Sequence, residues 1–209
     1  MKDHEAMIKD PKVWTEAVLK EHERMEKCGV FLPIKDAKIL TSTWSMKLKA
    51  DETKRARLNV RGYEQIAGLH YNKAGVSSPV VDEASIFILF TLMVMTRMYG
   101  ALNDEKGAFL NGDCTHDEKL YMEIPEGFEW FYPTGVLLLL LKTIYGLKQS
   151  AFEYWRVLLK AMRGLGLLRS KADPCVYYKW TDNGLCLWTS WVDDLLSIGK
   201  EVDVHKEKN

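Results

Sequence analysis

Two hydrophobic periods run through this chain. From Trp44 onward the period is two. Trp44, Met46 and Leu48 alternate with Ser45, Lys47 and Lys49. After the polar turn Ala50-Asp51-Glu52-Thr53, Ala56, Leu58 and Val60 alternate with Arg55, Arg57, Asn59 and Arg61. That pattern predicts a β-hairpin with one apolar and one basic face. It puts Arg55, Arg57 and Arg61 on the same side, an arrangement that suits a phosphate and also an ordinary solvated face.

Elsewhere the period is helical. Asp10-Pro11 is a helix start, a capping acid followed by Pro at the first helical position. Trp14, Ala17, Val18 and Met25 continue it to Cys28-Gly29, and Pro33 is expected to break the chain beyond. Asp82 or Ser85 caps a second helix through Met98. It is apolar on nearly all sides and is therefore expected to be buried. Ser150 to Gly164 reads as a third helix, with Trp155, Leu158, Leu159 and Met162 on its apolar side. Strands are expected over Tyr99 to Asn103, ending at Asp104, and over Leu120 to Ile124, Val136 to Leu141, Val176 to Trp180, Leu185 to Val192 and Leu195 to Ile198. The last two meet at Asp193-Asp194. Ala108 to Gly112 suggests a tight turn or short helix, and Gly62 to Pro79 irregular structure. Strands and helices mix without regular alternation, which makes the fold α+β.

Composition narrows the class. The chain has 209 residues with 29 basic and 29 acidic side chains, and 47% of it is hydrophobic. That is the balance of a folded globular protein rather than a disordered one. Cys28, Cys114, Cys175 and Cys186 are scattered, so they write neither a disulfide framework nor a zinc knuckle and fit a reducing compartment. The longest apolar run, Ile86 to Met95, is too short to span a bilayer, and the polar N-terminus is no signal peptide. The expected location is cytoplasmic or nuclear, neither secreted nor membrane-spanning.

Zero net charge first argues against a protein that coats nucleic acid. The charge is blocked, however. Lys47 to Arg61 carries six basic residues against two acids. Ala101 to Trp130 carries eight acids against two lysines. Lys142 to Asp173 carries seven basic residues against two acids. Such blocks fit surface variation, and they also fit metal-holding carboxylates flanked by phosphate-holding cations.

The candidate chemistry lies in Asp104, at the end of one expected strand, and Asp193-Asp194, where two others meet. Alone, an Asp-Asp pair is a polar turn. If the two sites adjoin, three carboxylates converge and call for a counter-charge. Hard oxygen donors select magnesium or manganese, and two such ions about 3.5–4 Å apart serve phosphoryl or nucleotidyl transfer.

The words around these carboxylates resemble the reverse transcriptase of copia-type retrotransposons. They are Asp104-Glu105-Lys106-Gly107-Ala108-Phe109-Leu110-Asn111-Gly112, Tyr121-Met122-Glu123-Ile124-Pro125-Glu126-Gly127-Phe128, Ile144-Tyr145-Gly146-Leu147-Lys148-Gln149-Ser150 and Trp191-Val192-Asp193-Asp194-Leu195-Leu196. Upstream, Arg55 to Tyr63 is similar to a family fingers segment, and Trp14 to Ala17 and Asp173 to Tyr177 fit further landmarks. Order and spacing agree over roughly residues 10–200.

The resemblance implies a right-hand polymerase with fingers and palm, an antiparallel palm sheet packed on helices and a hairpin in the fingers. Residues 10–98 would be richest in fingers and 99–200 in palm, within a single fragment lacking thumb and RNase H. Asp104, Asp193 and Asp194 would be catalytic and would hold two Mg²⁺, or Mn²⁺, with the Glu105 carbonyl as a further ligand. Arg55, Arg57, Arg61, Phe109 and Gln149 would bind nucleotide, Phe109 as the steric gate. Lys148 and Trp191 would lie at primer and template. The implied partners are a template–primer duplex, a deoxynucleoside triphosphate and the rest of a retrotransposon polyprotein, with no membrane. A non-enzymatic, nucleic-acid-binding transposon remnant is the alternative.

Departures from the family pattern all lie outside the carboxylates. Trp191 replaces a Tyr, Ala151-Phe152 a Pro-Arg, Phe87 an Arg, and Asn59 an apolar residue. Leu137 to Leu141 replaces a strand that carries lysines, and Leu139 and Leu141 would give it an apolar face needing a cover.

Overall fold

The period-two stretch folds as the expected hairpin, β3 (Ser42–Leu48) paired antiparallel with β4 (Lys54–Val60) in the register Trp44↔Leu58 and Met46↔Ala56. Ala56, Leu58 and Val60 are buried, while the residues between them are half-exposed. In this computed structural model, residues 11–34, 39–105, 107–114 and 119–206 are described. The capping residue Asp10 and motif residue Lys106 lie outside that set.

The chain divides into two compact units, each drawn from two stretches. The first comprises residues 1–77 and 109–154. Here α1 (Pro11–Lys27) packs on β4, and its inward residues Trp14, Val18 and Met25 are buried. A four-stranded sheet runs in the order β1 (Phe31–Ile34), β7 (Leu137–Leu140), β6 (Leu120–Met122), β2 (Ile39–Leu40), antiparallel except for β2 with β6. Pro33 does not break the chain as expected. It sits inside β1, which lies at the sheet edge, where a missing N–H leaves no ladder bond unmade. The core joins Leu40, Leu58, Leu110, Met122, Phe128, Leu138 and Ile144. Of the leucines expected to need a cover, Leu139 is half-buried and Leu141 exposed.

The second unit comprises residues 78–108 and 155–209. Its five-stranded sheet is antiparallel throughout. The order is β5 (Tyr99–Asp104), β11 (Asp194–Gly199), β10 (Gly184–Trp191), β9 (Val176–Thr181), β8 (Leu168–Arg169). α4 (Glu201–Lys206) lies on β5 and β11, and the Asp203 carboxylate accepts bonds from the Thr181 hydroxyl and the Asn183 amide at the β9–β10 turn. α3 (Ser150–Gly164) spans the boundary between the units and buries Tyr154, Leu158 and Met162.

α2 (Glu83–Thr96) is where expectation fails. The Asp82 side chain caps it as predicted, accepting the Ala84 N–H at 2.8 Å. The helix is not buried. Only Leu89, with Met93 beside it, packs toward Leu187 and Ile198 of the sheet, and most other apolar residues of α2 are exposed. A helix that touches one sheet buries one stripe, and an apolar sequence on the remaining sides does not change that.

The architecture is thus α+β, with antiparallel sheets packed on helices and a separate two-stranded hairpin. No helix among the described residues is long and apolar enough to cross a membrane.

Candidate active site

In the second unit, β-pairing brings the sequence-distant carboxylates together. β11 pairs with β5 in a register that sets Asp194 directly opposite Asp104, and the Glu105 N–H donates to the Asp193 carbonyl at 3.1 Å, continuing the ladder past the strand end. Directly opposed residues have Cβ atoms about 4.5–5.5 Å apart on one face. Asp104, Glu105 and Asp194 are exposed, and Asp193 is half-buried.

The β10–β11 turn holds them there. Trp191 pairs with Asp194, leaving Val192 and Asp193 as the two turn residues. Val192 takes φ 56°, a left-handed conformation that a β-branched side chain rarely adopts and that a two-residue hairpin turn requires at its first position. The turn therefore stores strain next to the carboxylates. Trp191 is 48% exposed and presents an open indole beside Asp194.

Hard, exposed carboxylate oxygens at opposed positions fit a magnesium-type ion in their chemistry. Their side chains as placed form no finished cage. No group of three or more His, Cys, Asp or Glu positioned to hold a metal occurs among the described residues. Asp104 and Asp194, being exposed, reorient by side-chain rotation alone, so the donor set suits the ion without being preassembled for it.

The other expected site residues lie in the first unit and are tied into a packed knot. The Arg57 guanidinium lies 4.7 Å from the Tyr145 ring centroid, and Tyr145 meets Phe109 edge-on at 5.4 Å. The Val60 N–H donates to the Tyr145 carbonyl at 2.8 Å, which runs the Tyr145-Gly146 segment along β4. Gly146 has φ 90°, and a Cβ there would overlap the Val60 carbonyl, so glycine is required at this crossing. Buried Thr143 donates its hydroxyl to the Phe109 carbonyl, fixing the Ala108–Asn111 turn. Arg61 donates from Nη1 to the Thr41 hydroxyl at 3.1 Å, and Thr41 in turn bonds Glu64 through its N–H and hydroxyl. Those two bonds from Thr41 hold the Glu64 carboxyl below its ordinary pKa. Arg55 is half-buried on the same strand.

Gln149 is not a free polar group. It is buried, its Oε1 accepts from Gln65 Nε2 at 2.9 Å, and its Nε2 donates to the His70 carbonyl at 3.1 Å. Lys148 donates its backbone N–H to Gln65 Oε1 at 2.8 Å, and its ammonium lies 4.8 Å from the Tyr71 ring centroid. Sequence reasoning misses Gln65, His70 and Tyr145 as the partners that orient these groups, because they sit outside any motif word or carry no charge. It also misses what Asp173 does. Its buried carboxylate accepts the N–H of Cys175 at 2.8 Å and of Asp82 at 2.9 Å, tying the start of α2 to the start of β9. The cue was the Asp-Pro-Cys landmark itself. Next to that carboxylate, burial pushes the Cys175 thiol up to about 11.

Comparison with known proteins sets this geometry in a family. A family described as reverse transcriptase (RNA-dependent DNA polymerase) matches residues 29–208, and the chain belongs to it. Its curated relatives point to the copia-type branch. The chain is 35% identical over 195 residues to the retrovirus-related Pol polyprotein from transposon TNT 1-94 of Nicotiana tabacum, covering 88% of this chain and 14% of that protein. It is 31% identical over 147 residues to the Pol polyprotein from transposon RE1 of Arabidopsis thaliana, covering 70% of this chain and 10% of that one. The chain therefore spans about a seventh or less of these relatives. A solved foamy viral protease–reverse transcriptase in complex with double-stranded DNA aligns over 92% of this chain and 27% of its own. The sequence identity is 12% and the TM-score 0.46.

Proposed function

We propose that this chain is the fingers-and-palm portion of an RNA-directed DNA polymerase, with the second unit as palm and the β3–β4 hairpin as part of the fingers. The supporting observation is the register of β5 against β11, which sets Asp104 opposite Asp194 and closes Glu105 onto Asp193. Asp104, Asp193 and Asp194, with the Glu105 carbonyl, would hold two Mg²⁺. Bound there, the ions supply the Lewis acidity that favours the attacking hydroxylate and neutralises the charge of the leaving pyrophosphate.

The chain's own residues do the rest. Arg55, Arg57 and Arg61 bind the triphosphate of a deoxynucleoside triphosphate, as arginine forks do. Phe109, held by Tyr145 and Thr143, sets a rigid ring where a ribose 2′-hydroxyl would clash. Gln149, locked by Gln65 and His70, would be a rigid part of the nucleotide-binding set. Lys148 and the open indole of Trp191 contact the template–primer duplex. The primer 3′-hydroxyl attacks the α-phosphorus, its proton leaves to solvent, and pyrophosphate departs.

Primer extension on an RNA template with Mg²⁺ tests this. The expected result is dNTP incorporation that Asp193→Asn lowers by about a thousandfold or more. No incorporation at any protein concentration, with metal-independent duplex binding retained, overturns the polymerase and leaves a nucleic-acid-binding remnant.

A further inference from the structure

α2 carries an exposed apolar stripe directly opposite its sheet-facing side. Ala84, Phe87, Ile88, Thr91, Val94 and Met95 recur at the three- and four-residue spacing of one helix face. Phe87 is 70% exposed, Ile88 59%, Val94 72% and Met95 77%. The buried residue, Leu89, faces away from this stripe toward Leu187 and Ile198. The Thr91 hydroxyl is occupied by the Phe87 carbonyl of its own helix at 2.8 Å, so the stripe offers little polar chemistry.

Its charges lie only at its ends. Glu83 opens the helix and Arg97 terminates it, both exposed, and no charged residue lies between. Written as heptads with Ala84 at a, Phe87 and Val94 fall at d, Ile88 and Met95 at e, Thr91 at a, and Glu83 and Arg97 both at g.

We propose that α2 is a self-association surface on which a second copy of this chain docks its own α2, antiparallel, about a two-fold axis. A two-fold contact uses the same patch twice and must be self-complementary. Antiparallel packing of this stripe is. Phe87 of one copy falls opposite Thr91 of the other and Val94 opposite Ala84, large against small, with Ile88 meeting its own copy near the axis. The same register brings Glu83 of each copy to Arg97 of its partner and sets the helix dipoles head to tail. A nucleic acid finds no cations along the stripe. A membrane-surface helix needs a basic rim that α2 lacks. The stripe, with Phe90 and Leu92 on either flank, presents on the order of 500 Å² per copy. That is at the upper end of monomer patches and below the ~800 Å² per partner of a standard interface, so the dimer is a weak one with a dissociation constant in the micromolar range.

Sedimentation velocity of the purified chain from about 1 to 200 µM tests it. The expected result is a reversible monomer–dimer equilibrium. Val94→Lys, on an exposed position, should weaken it at least about thirtyfold with unchanged circular dichroism and melting temperature. Glu83→Arg and Arg97→Glu should each weaken it by about three- to tenfold at low salt, and the double variant should restore it. A chain that stays monomeric throughout overturns the proposal, as does a dimer indifferent to Val94→Lys. A double charge swap as weak as either single swap overturns the antiparallel pairing.

Discussion

Two regions of the molecule, one in each unit, are built in opposite ways. The carboxylates of the second unit stand at a strand end, Asp104 and Asp194 exposed and Asp193 half-buried, held by backbone pairing and one strained turn. The Arg57–Tyr145–Phe109 stack and the Gln65–Gln149–His70 network of the first unit are packed side chain on side chain. The motif words are equally prominent in the sequence, yet the carboxylates leave polar atoms open for a ligand and the Gln149 network spends its amides on the protein. The carboxylates should therefore carry chemistry with little stability, and the Gln149 network stability with chemistry only through positioning.

Removing one member of each set is the strongest way to break that contrast. Asp193→Asn should lower primer extension to the extent stated above while shifting the melting temperature by about 2 °C or less, since a substitution that keeps the side chain's shape and breaks no packing costs within about 0.5 kcal/mol. Gln149→Ala should do the reverse. It cuts the two bonds that Gln149 makes inside a buried network and leaves the Gln65 amide and the His70 carbonyl only their long 3.5 Å bond to each other, at about 1–3 kcal/mol for each lost bond. At about 2–4 °C per kcal/mol for a chain of this size, thermal denaturation should fall by roughly 5–10 °C. Equal melting temperatures for the two variants would erase the distinction.

Within the carboxylate region, the strain at Val192 sharpens the comparison further. Glycine adopts φ 56° without steric penalty, so Val192→Gly should stabilise the chain by about 1 kcal/mol, read as a rise of a few degrees in melting temperature. If the turn strain serves the site, the same variant lowers primer extension while it gains stability. A gain in both would show the strain to be incidental.

How far these regions could be read from sequence follows from element length. The β3–β4 hairpin, the Ser150–Gly164 helix and the three strands β9 to β11 each carry several repeats of one period, and their positions were legible. β2 and β8 have two residues each and α4 has six, too few to show a period. α2 was legible in place but not in burial, because an all-round apolar helix contains no information about which side meets a sheet. That Asp104 meets Asp193-Asp194 was an expectation carried by motif order, though its register against Asp194 was not, whereas the partners of Gln149 lie 79 and 84 residues away along the chain and leave no local trace. Asp173 read as a landmark and works as a clamp between α2 and β9.

The smallest expected effect lies in the packed first unit and comes from a histidine. His22 is buried, stacked on Phe131 at 3.9 Å with Phe128 edge-on at 4.6 Å, and 3.1 Å from the Tyr132 hydroxyl, which donates to Glu26 at 2.8 Å. Burial lowers its pKa, against a smaller upward pull from Glu26 and Glu23. The folded state therefore prefers neutral imidazole, while the unfolded chain takes up a proton near pH 6.5. The unfolded state binds more protons between the two pKa values, so stability is full above about pH 6.5 and declines as the pH falls toward the lower folded value. His22→Phe keeps the ring stack and removes the titration. Its melting temperature relative to the parent should rise by a few degrees between pH 7 and pH 5. A constant difference across that range would show that the aromatic cage leaves His22 free to protonate, and packing in the first unit would then be looser than in the Gln149 network.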